Sequence, residues 1–293
     1  MSKILKMITI FTPTYNRAYI LPELYESLCR QTYRNFEWVV IDDGSSDETS
    51  ALFEKWIDNS DFPIVYQRQQ NGGKHRAINR AVRIARGELF YIVDSDDRLP
   101  ADSLAQVVEQ FGHVKDDESF AGVCGLKTYF DGTKIGGECD FDILECNALD
   151  YRYKYKITGD AAEVIRTEVF REIPFPEIDG EKFCPEAVVW NRIARKYKLR
   201  YFYGKIYSCD YLPDGLTAKI VKCRMMSPIA SCMCYAELAA TKIPFVQRVK
   251  AAINYWRFRF CASAGQKPRI SIVWYPLLPV GLCMHVKDLC FVK

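Results

Sequence analysis

Short apolar runs alternate with helically spaced segments through the first hundred residues of this 293-residue chain. Runs that are apolar at every position are typical of strands buried on both faces, as in parallel sheets covered by helices. Their alternation with helices predicts a doubly wound α/β arrangement for this part of the chain. The strands are predicted at Met7–Thr12, Glu37–Ile41, Pro63–Gln67 and Leu89–Val93, and the helices between them at about 18–31, 47–56 and 76–85.

The pattern is less regular after residue 100, where strands and helices no longer alternate. A proline suits the first position of a helix, and an Asp-Gly pair suits the turn of a β-hairpin. The predicted elements are a helix at 101–111, a β-hairpin at 119–140 turning at Asp131-Gly132, a helix from Pro185 to about 198, short strands at 199–204 and 206–211, and basic helices from Cys223 on.

Each of the predicted strands is followed by a polar cluster, at 12–17, 42–47, 71–75 and 94–97. The carboxyl ends of parallel strands meet at one edge of a sheet, where open α/β sheets bind ligands, so the clusters are expected to converge. The last cluster brings three carboxylates within four positions, and a hard divalent cation usually neutralises such crowding. On its own, this cluster has a simpler interpretation as a polar turn in which Asp97 caps the next helix.

Charge is distributed unevenly along the chain, whose net charge is +3. Residues 219–293 contain twelve Lys and Arg against only Glu237 and Asp288, a net charge of +10, which leaves −7 for residues 1–218. We therefore expect the basic end of the chain to meet an anionic partner. Nucleic acid is not the expected partner, because no recognition motif accompanies the charge.

The cysteines and the N-terminus indicate the compartment. The twelve cysteines include no C-x-x-C pair and no matching histidine cluster, which favours reduced core residues over a disulfide framework or a zinc site. Met1–Lys6 has no signal-peptide character, and the short apolar run after it fits a strand. A cytoplasmic protein is therefore expected.

Four motifs together resemble a known family. They are Thr12-Pro13-Thr14-Tyr15-Asn16-Arg17, Val40-Ile41-Asp42-Asp43-Gly44-Ser45-Ser46-Asp47, Asn71-Gly72-Gly73-Lys74-His75 and Asp94-Ser95-Asp96-Asp97. In this order and spacing they resemble the family 2 glycosyltransferases of the GT-A fold, specifically over about the first hundred residues and more loosely to about residue 220. The resemblance implies a GT-A, Rossmann-like α/β/α sandwich with a mostly parallel central sheet and a C-terminal helical extension.

The resemblance also implies a division of the chain and an activity. A catalytic domain at 1–220 would have a nucleotide-binding half at 1–100 and an acceptor half at 101–220, followed by a basic helical extension at 221–293. The implied activity is inverting transfer of a hexosyl or N-acetylhexosaminyl group from a nucleotide-sugar, usually a UDP-sugar, to a hydroxyl acceptor. The reaction would use Mn²⁺ or Mg²⁺ and serve cell-surface polysaccharide or glycolipid synthesis.

Residue roles carry over from the same resemblance. Asp43, with Asp42, would read the nucleotide base, Lys74 would lie near the diphosphate, and Asp94 near the ribose or sugar. Asp96 would hold the metal, and Asp97 would be an acid behind it or a helix cap. The implied nucleotide-sugar contacts are Pro13, Tyr15, Arg17, Asp42, Asp43, Lys74, Asp94 and Ser95.

Inversion is a single displacement that needs a general base for the acceptor hydroxyl. The resemblance places this base in an acidic motif at a helix start, which indicates Glu186, directly after Pro185. The family's common Glu-Asp pair is replaced by Glu186-Ala187, so Glu181 remains an alternative. Two further candidates are Asp160 as an acceptor contact and Thr217 as a phosphate contact in a mobile loop at 211–217.

The basic tail combines two features that suit a membrane surface. Residues 270–286 form a largely apolar run, slightly short for a membrane span and interrupted by prolines. Residues 245–260 mix basic and aromatic side chains, which suits a helix lying on anionic lipid. We expect the tail to hold the protein on the inner membrane face near a saccharide or lipid-linked acceptor; a helical cap on the catalytic domain, or a dimer interface, is the alternative.

Two other functions fit part of the pattern. A nucleotide-sugar-binding protein that has lost catalysis would keep the donor motifs, but Asp96 and Glu186 are both present. A nucleotidyltransferase would also have an α/β sheet with paired acids. Its first loop is usually glycine-rich, whereas the first loop here is Thr-Pro-Thr-Tyr-Asn-Arg.

Overall fold

A computed structural model describes residues 7–137, 141–210, 219–262 and 268–291. The chain divides into two compact units. The first unit comprises Met1–Asn71, Arg76–Pro174 and Ile193–Asp210, and the second comprises Gly72–His75, Phe175–Arg192 and Tyr211–Lys293. The C-terminal helices therefore share a unit with the Gly72–His75 motif and with the segment that carries Glu181 and Glu186.

The first unit is built on one mixed sheet of eight strands in the order β3-β2-β1-β4-β7-β5-β8-β6. The pairs β3–β2, β2–β1, β1–β4 and β5–β8 are parallel, and the pairs made by β7 and β6 are antiparallel. The strands are β1 Ile8–Thr14, β2 Phe36–Asp42, β3 Ile64–Arg68, β4 Leu89–Ile92, β5 Phe120–Thr128, β6 Ile143–Cys146, β7 Ala161–Arg166 and β8 Lys198–Ser208.

Helices connect the parallel strands of this sheet, as the sequence pattern predicted. Strand β2 is buried at every position, and the fully buried Trp38 packs between Phe53 and Trp56 of helix α2 and Tyr25 of helix α1. A sheet covered in this way fits the predicted α/β sandwich. The helices are α1 Leu21–Cys29, α2 Thr49–Asn59, α3 Lys74–Ile84, α4 Ser103–Gly112, α5 Ala148–Tyr153, α6 Thr167–Glu172 and α7 Ala187–Ala194.

Two elements predicted in the second half of the chain were wrong. The expected hairpin at 119–140 is reduced to its turn at Asp131-Gly132, where the Tyr129 N–H donates to the Thr133 carbonyl at 2.8 Å and an isolated bridge joins Thr128 to Lys134. The strand partners of β5 are instead β7 and β8. The two short strands expected at 199–204 and 206–211 are one strand, β8. Its register against β5 shifts between Cys124 and Leu126, which indicates a bulge where the pattern suggested a break.

The C-terminal part of the second unit is helical, as predicted. A buried cluster around Cys232, Ala252, Tyr255 and Trp274 joins these helices. None of the helices in the described part of the chain is long and apolar enough to span a membrane. The helices are α8 Ile220–Met226, α9 Pro228–Ala240, α10 Phe245–Arg259, a 3₁₀ helix Ile272–Leu277 and α11 Leu278–Phe291.

The eleven cysteines in the described ranges are all free thiols, as expected of a reduced protein. Most are buried or half-buried, but Cys29, Cys283 and Cys290 are exposed, so the expectation of core positions was wrong for these three.

Candidate active site

Asp42 is the last residue of strand β2, and Asp43 follows it directly. Both lie in a hydrogen-bond network of the first unit. Asp42 Oδ2 accepts from the Tyr66 hydroxyl at 2.6 Å, and Asp43 accepts from the side chains of Gln69 at 2.8 Å and Asn71 at 3.2 Å. Both carboxylates are almost fully buried, at 1% and 6% exposed. Burial and the bond to Asp42 raise the pKa of Tyr66 well above its ordinary value, so its hydroxyl remains a donor.

The loop after β1 is tied to the turn after β2. Asn16, at a φ of 54°, donates its backbone N–H to Ser45 Oγ at 2.9 Å, and Asp47 Oδ2 accepts from the backbone N–H of Ala18 at 2.9 Å. Burial acts to raise the pKa of Asp47, but hydrogen bonds from Thr49 and Ala18 outweigh it and lower that pKa. Two predicted clusters that are distant in sequence therefore meet at one edge of the sheet.

The three nucleotide-pocket candidates of the first motif differ in setting. Pro13 lies within β1, beside Ile41 of β2. Tyr15 is 50% exposed just beyond the strand, and the Arg17 guanidinium lies 5.8 Å from the ring centroid of Tyr19. Tyr15 therefore offers an accessible aromatic face beside the buried Asp42–Asp43 network.

Asp94, Ser95, Asp96 and Asp97 form a turn after β4, in which the backbone N–H of Asp97 donates to the carbonyl of Asp94 at 3.1 Å. Asp94 and Asp96 are partly exposed, whereas Ser95 and Asp97 are buried. Tyr207 of β8 joins both ends of this turn: its hydroxyl donates to Asp97 Oδ2 at 2.5 Å and accepts from the Asp94 N–H at 3.0 Å. The turn is therefore fixed from a strand more than a hundred residues away in sequence.

The crowding expected among these acids is visible in the ionisation of Asp97. Burial and the charge of Asp94, with a further contribution from Asp96, raise the pKa of Asp97 to about 8. The hydrogen bond from Tyr207 acts in the opposite direction without offsetting them. A negative site of this kind is one that a bound cation stabilises.

Tyr207 and Lys127 belong to this cluster but were not predicted from the sequence. Lys127 Nζ lies 4.2 Å from the centroid of the Tyr207 ring. Burial acts to lower the pKa of Lys127, but the charges of Asp94, Glu163 and Asp97 outweigh it and raise that pKa. Lys127 therefore remains a cation that partly balances the acids.

The acids fit a metal held jointly with a phosphate ligand. Within the ranges that the structure describes, no three His, Cys, Asp or Glu side chains are grouped so that they could hold a metal ion by themselves. Mg²⁺ is commonly bound through one or two carboxylates, with substrate phosphates completing the coordination. The partly exposed Asp94 and Asp96 supply the hard oxygen atoms that this mode requires.

The second unit brings Lys74 and Glu186 together. Lys74 Nζ lies 2.8 Å from Glu186 Oε1, and the two side chains are 21% and 40% exposed. Glu186 precedes α7 and accepts through Oε2 from the Trp190 indole N–H at 3.4 Å. The loop before Lys74 needs glycine, because Gly73 has a φ of 97° and a Cβ there would lie 1.9 Å from the Lys182 carbonyl oxygen.

Glu181 has a different environment from Glu186. It is only 6% exposed, and its two carboxylate oxygens accept from the backbone N–H groups of Ile229 at 2.6 Å and Ala230 at 2.9 Å. These donors belong to the first turn of α9, so Glu181 caps that helix. Burial raises the pKa of Glu181, although both N–H groups act to lower it.

The structure gives little detail on the two remaining candidate contacts, Asp160 and Thr217. Asp160 is exposed, directly before β7. Thr217 and the loop predicted around it lie outside the described residues.

Comparison with known proteins identifies the family. The family model described as glycosyl transferase family 2 matches residues 9–131, a range that contains all four sequence motifs. Residues 9–131 therefore belong to this family.

Curated glycosyltransferases match the chain over part of its length. Glycosyltransferase GlyG of Streptococcus pneumoniae is 24% identical over 218 residues, covering 69% of this chain and 70% of that protein. A PGL/p-HBAD biosynthesis glycosyltransferase of Mycobacterium tuberculosis is 35% identical over 140 residues, or 47% of this chain and 54% of that protein. The match to the abequosyltransferase RfbV of Salmonella typhimurium is 31% identical and covers 57% of this chain and 46% of that protein.

Solved structures share the fold. S. aureus TarS 1–349 in complex with UDP has a TM-score of 0.58 at 20% identity, over 88% of this chain and 72% of that one. The mannosyltransferase PcManGT from Pyrobaculum calidifontis, in complex with GDP-Man and Mn²⁺, has a TM-score of 0.58 at 20% identity, over 99% and 76%. The predicted GT-A fold, with its C-terminal helices, is thereby confirmed.

Proposed function

We propose that this protein is a glycosyltransferase that transfers the sugar of a UDP-sugar to an acceptor hydroxyl with inversion of the anomeric configuration. In this proposal Asp96 holds Mn²⁺ or Mg²⁺, and Glu186 acts as the base. The observation that carries the proposal is the turn after β4, where Asp94 and Asp96 remain partly exposed while Tyr207 holds Asp97 behind them. Two partly exposed carboxylates on one fixed turn can bind a cation and a sugar hydroxyl at the same time.

On the donor side, the nucleotide would bind along the edge formed by the loop after β1 and the turn after β2. Tyr15 offers a ring on which a base can stack, and the buried Asp43 accepts the base N–H groups. Pro13, Arg17, Asp42 and Ser95 complete this proposed contact set, and Asp94 accepts from a ribose or sugar hydroxyl. Lys74 is proposed to neutralise part of the diphosphate charge.

The leaving group carries the developing charge of the reaction. A bound divalent cation, held by Asp96 and by diphosphate oxygens, would supply Lewis-acid stabilisation of that charge. Asp94 would orient the sugar through its hydroxyl groups, and Asp97 with Tyr207 would hold the turn in place.

On the acceptor side, Glu186 accepts the hydroxyl proton while the acceptor oxygen bonds to the anomeric carbon and the bond to the diphosphate breaks. Its carboxylate is 40% exposed and can be reached by an acceptor. Its Oε1 lies 2.8 Å from Lys74 Nζ, which places the proposed base next to the cation proposed for the diphosphate. Glu181 is the weaker candidate, since both of its oxygens are engaged by N–H groups of α9.

The choice of UDP and the biological setting rest on relatives. TarS has been solved with UDP and UDP-GlcNAc, and PcManGT with GDP-Man and Mn²⁺, which supports a nucleotide-sugar donor for this chain. One relative is named a PGL/p-HBAD biosynthesis glycosyltransferase and another an undecaprenyl-phosphate 4-deoxy-4-formamido-L-arabinose transferase. The second name supports a lipid-linked substrate, and we infer a role in cell-surface polysaccharide or glycolipid synthesis. We propose a cytoplasmic enzyme whose basic residues 221–293 meet the inner membrane face near a lipid-linked acceptor.

A donor screen tests this function. The full chain is incubated with a panel of UDP- and GDP-sugars, with Mn²⁺, with Mg²⁺ or with EDTA, and release of nucleoside diphosphate is measured. We expect release from one UDP-sugar that EDTA abolishes. Metal-independent release contradicts the role of Asp96, and tight donor binding without any turnover indicates a binding protein in place of an enzyme.

A further inference from the structure

The last helix of the chain has its polarity reversed. In α11, the side that packs against the protein carries Gly281, His285 and Asp288, all buried. The side about 100° round the helix carries aliphatic side chains, with Leu282 41%, Val286 51% and Leu289 56% exposed. A surface helix of a globular protein normally shows the opposite arrangement, with its apolar stripe inside.

The inward polar residues of α11 are satisfied by partners on α10 and just after it. Arg257 donates to both carboxylate oxygens of Asp288, at 2.5 Å and 2.7 Å, and these side chains are only 18% and 10% exposed. His285 Nδ1 lies 3.7 Å from Cys261 Sγ. Because a buried ion pair of this kind fixes the rotation of the helix, the aliphatic side is held outward.

The exposed apolar surface extends beyond α11. In the preceding 3₁₀ helix, Trp274 is buried whereas Ile272 and Val273 are 77% and 65% exposed. Together with the aliphatic side of α11 they make up what we term the apolar face: Ile272, Val273, Leu282, Val286 and Leu289. Several exposed aliphatic side chains concentrated in one short part of a chain mark an interaction site.

The charges around this face are positive. Arg269 and Lys287 are exposed at its two ends, before the 3₁₀ helix and at the edge of the outer side of α11. Residues 219–293 contain only two acids, and both are paired: Asp288 with Arg257 and Glu237 with Arg192. The C-terminal helices therefore combine exposed aliphatic side chains with cations, and both of their acids are engaged in ion pairs.

We propose that the apolar face lies in the plane of an anionic lipid surface, with its aliphatic side chains among the acyl chains and with Arg269 and Lys287 at the headgroups. This proposal rests on the membrane location proposed above and names the surface that makes it. A helix packed on protein along one side and apolar along the other is suited to lie at such an interface. Each nearby cation adds attraction to anionic lipid, within a Debye length of the surface.

The charge also decides between lipid and a second copy of this chain. A symmetric dimer through this face would bring two identical basic surfaces together, because a two-fold interface pairs the same patch on both subunits. Like charges would then oppose the association, whereas an anionic bilayer attracts the same residues.

Vesicle co-sedimentation of the full-length protein tests the proposal. The wild type is mixed with vesicles of phosphatidylcholine alone, or of phosphatidylcholine with phosphatidylglycerol, at low and high salt. We expect binding to the anionic vesicles that weakens in salt. The triple variant Leu282→Ser, Val286→Ser, Leu289→Ser should bind the anionic vesicles at least roughly tenfold more weakly than the wild type. Each substitution removes hydrocarbon that the lipid would bury.

Matched controls separate the possible causes of a loss. Ile57→Ser removes an aliphatic side chain of similar exposure, 47%, from α2 of the first unit and should leave vesicle binding unchanged. Arg269→Glu with Lys287→Glu should abolish the preference for anionic vesicles. Thermal unfolding and release of nucleoside diphosphate in solution should be the same in the triple variant as in the wild type, which excludes misfolding.

The outcomes distinguish this inference from the broader proposal. If the triple variant binds vesicles as tightly as the wild type, the apolar face is not the lipid-binding surface, although the proposed membrane location still holds. A wild type that binds no vesicle overturns both. A dimer that the triple variant dissociates, measured by light scattering without any vesicle binding, would assign the face to a second copy. Donor turnover is measured in a separate assay, so an absence of turnover would contradict the proposed enzyme function without changing the interpretation of the vesicle-binding results.

Discussion

Glu186 and Glu181 are five residues apart, yet their surroundings assign them different tasks. Glu186 is partly exposed and pairs with Lys74, whereas Glu181 is buried and caps α9 with both carboxylate oxygens. The sequence criterion for the base, an acid at a helix start, could not distinguish the two. The helix that Glu181 caps begins more than forty residues later in sequence, so its capping role is visible only in the structure.

The first prediction concerns this pair of acids. Glu186→Gln should lower transfer by roughly 100- to 10,000-fold while leaving donor affinity unchanged, because the amide cannot accept the acceptor's proton. Steady-state kinetics and donor titration by calorimetry measure the two quantities. Glu181→Gln should lower the unfolding temperature and leave transfer within a few-fold of the wild type. The reverse pattern would move the base to Glu181.

A second prediction at this scale concerns Tyr207. Tyr207→Phe removes a hydroxyl that donates to Asp97 and accepts from the Asp94 N–H, and should cost about 1–3 kcal/mol of the free energy of unfolding because both groups are buried or partly buried. Donor KM should also rise, since the turn that carries Asp96 loses its support. Urea unfolding and donor kinetics provide the measurements.

Tyr197→Phe is the matched control for that substitution. The Tyr197 hydroxyl also donates to a carboxylate, Glu172, at 2.5 Å, but on the exposed surface. Water can replace such a bond, so both stability and donor KM should change little. If the two substitutions changed stability and donor KM equally, the proposed support of the donor site by Tyr207 would be wrong.

At the scale of elements, local pattern predicted the parallel strands β1 to β4 and their polar ends because each is a short, largely apolar segment followed by polar residues. It was wrong for the hairpin at 119–140, where an Asp-Gly turn does lie but β5 finds its partners in β7 and β8 instead. Those pairings join distant parts of the chain, and local sequence does not encode them.

The same limit explains the residues of the site that sequence reasoning missed. Lys127 and Tyr207 lie on β5 and β8 and read as ordinary strand positions in the alternating pattern. Only the parallel pairing of those two strands brings them to the acids after β4, through the contacts Tyr207–Asp97 and Lys127–Tyr207. Motifs therefore predicted the acids but not the tyrosine that fixes them.

Helix α7, which begins directly after Glu186, gives a third prediction. Arg192 of α7 pairs with Glu237 of α9 through two bonds, at 3.1 Å and 2.6 Å, and the side chains are only 31% and 25% exposed. Arg192→Met should therefore cost about 1–3 kcal/mol in unfolding free energy, because it leaves Glu237 without that partner. The double variant with Glu237→Met should cost less than the sum of the single changes.

The exposed pair of Arg30 and Glu26 on α1 serves as the control for that cycle. Both of its side chains are more than half exposed, at 60% and 68%. Arg30→Met should cost at most about 0.5 kcal/mol, as is usual for surface pairs at this spacing. Urea unfolding followed by tryptophan fluorescence measures all four variants, and a strictly additive cycle would mean that α7 and α9 are not coupled through this pair.

At the scale of the whole molecule, the C-terminal helices have two distinct surfaces. One carries the apolar face of α11. The other contacts the segment that bears the proposed base: α9 donates to Glu181, Ser227 Oγ accepts from the backbone N–H of Phe183 at 3.1 Å, and Glu237 pairs with Arg192. The division of the chain at residue 220, predicted from the family resemblance, therefore separates groups that bond to one another within the second unit.

Truncation after residue 220 tests what that division means for activity. We expect residues 1–220 to lose transfer and to unfold at a lower temperature, because Glu181 would be left with a buried carboxylate that has lost its N–H donors. The full-length triple variant of the apolar face is the control: it keeps these contacts and should retain turnover with a water-soluble acceptor. A truncated chain that keeps the wild-type rate and stability would instead establish 1–220 as an independent catalytic domain and reduce the helices to a membrane attachment.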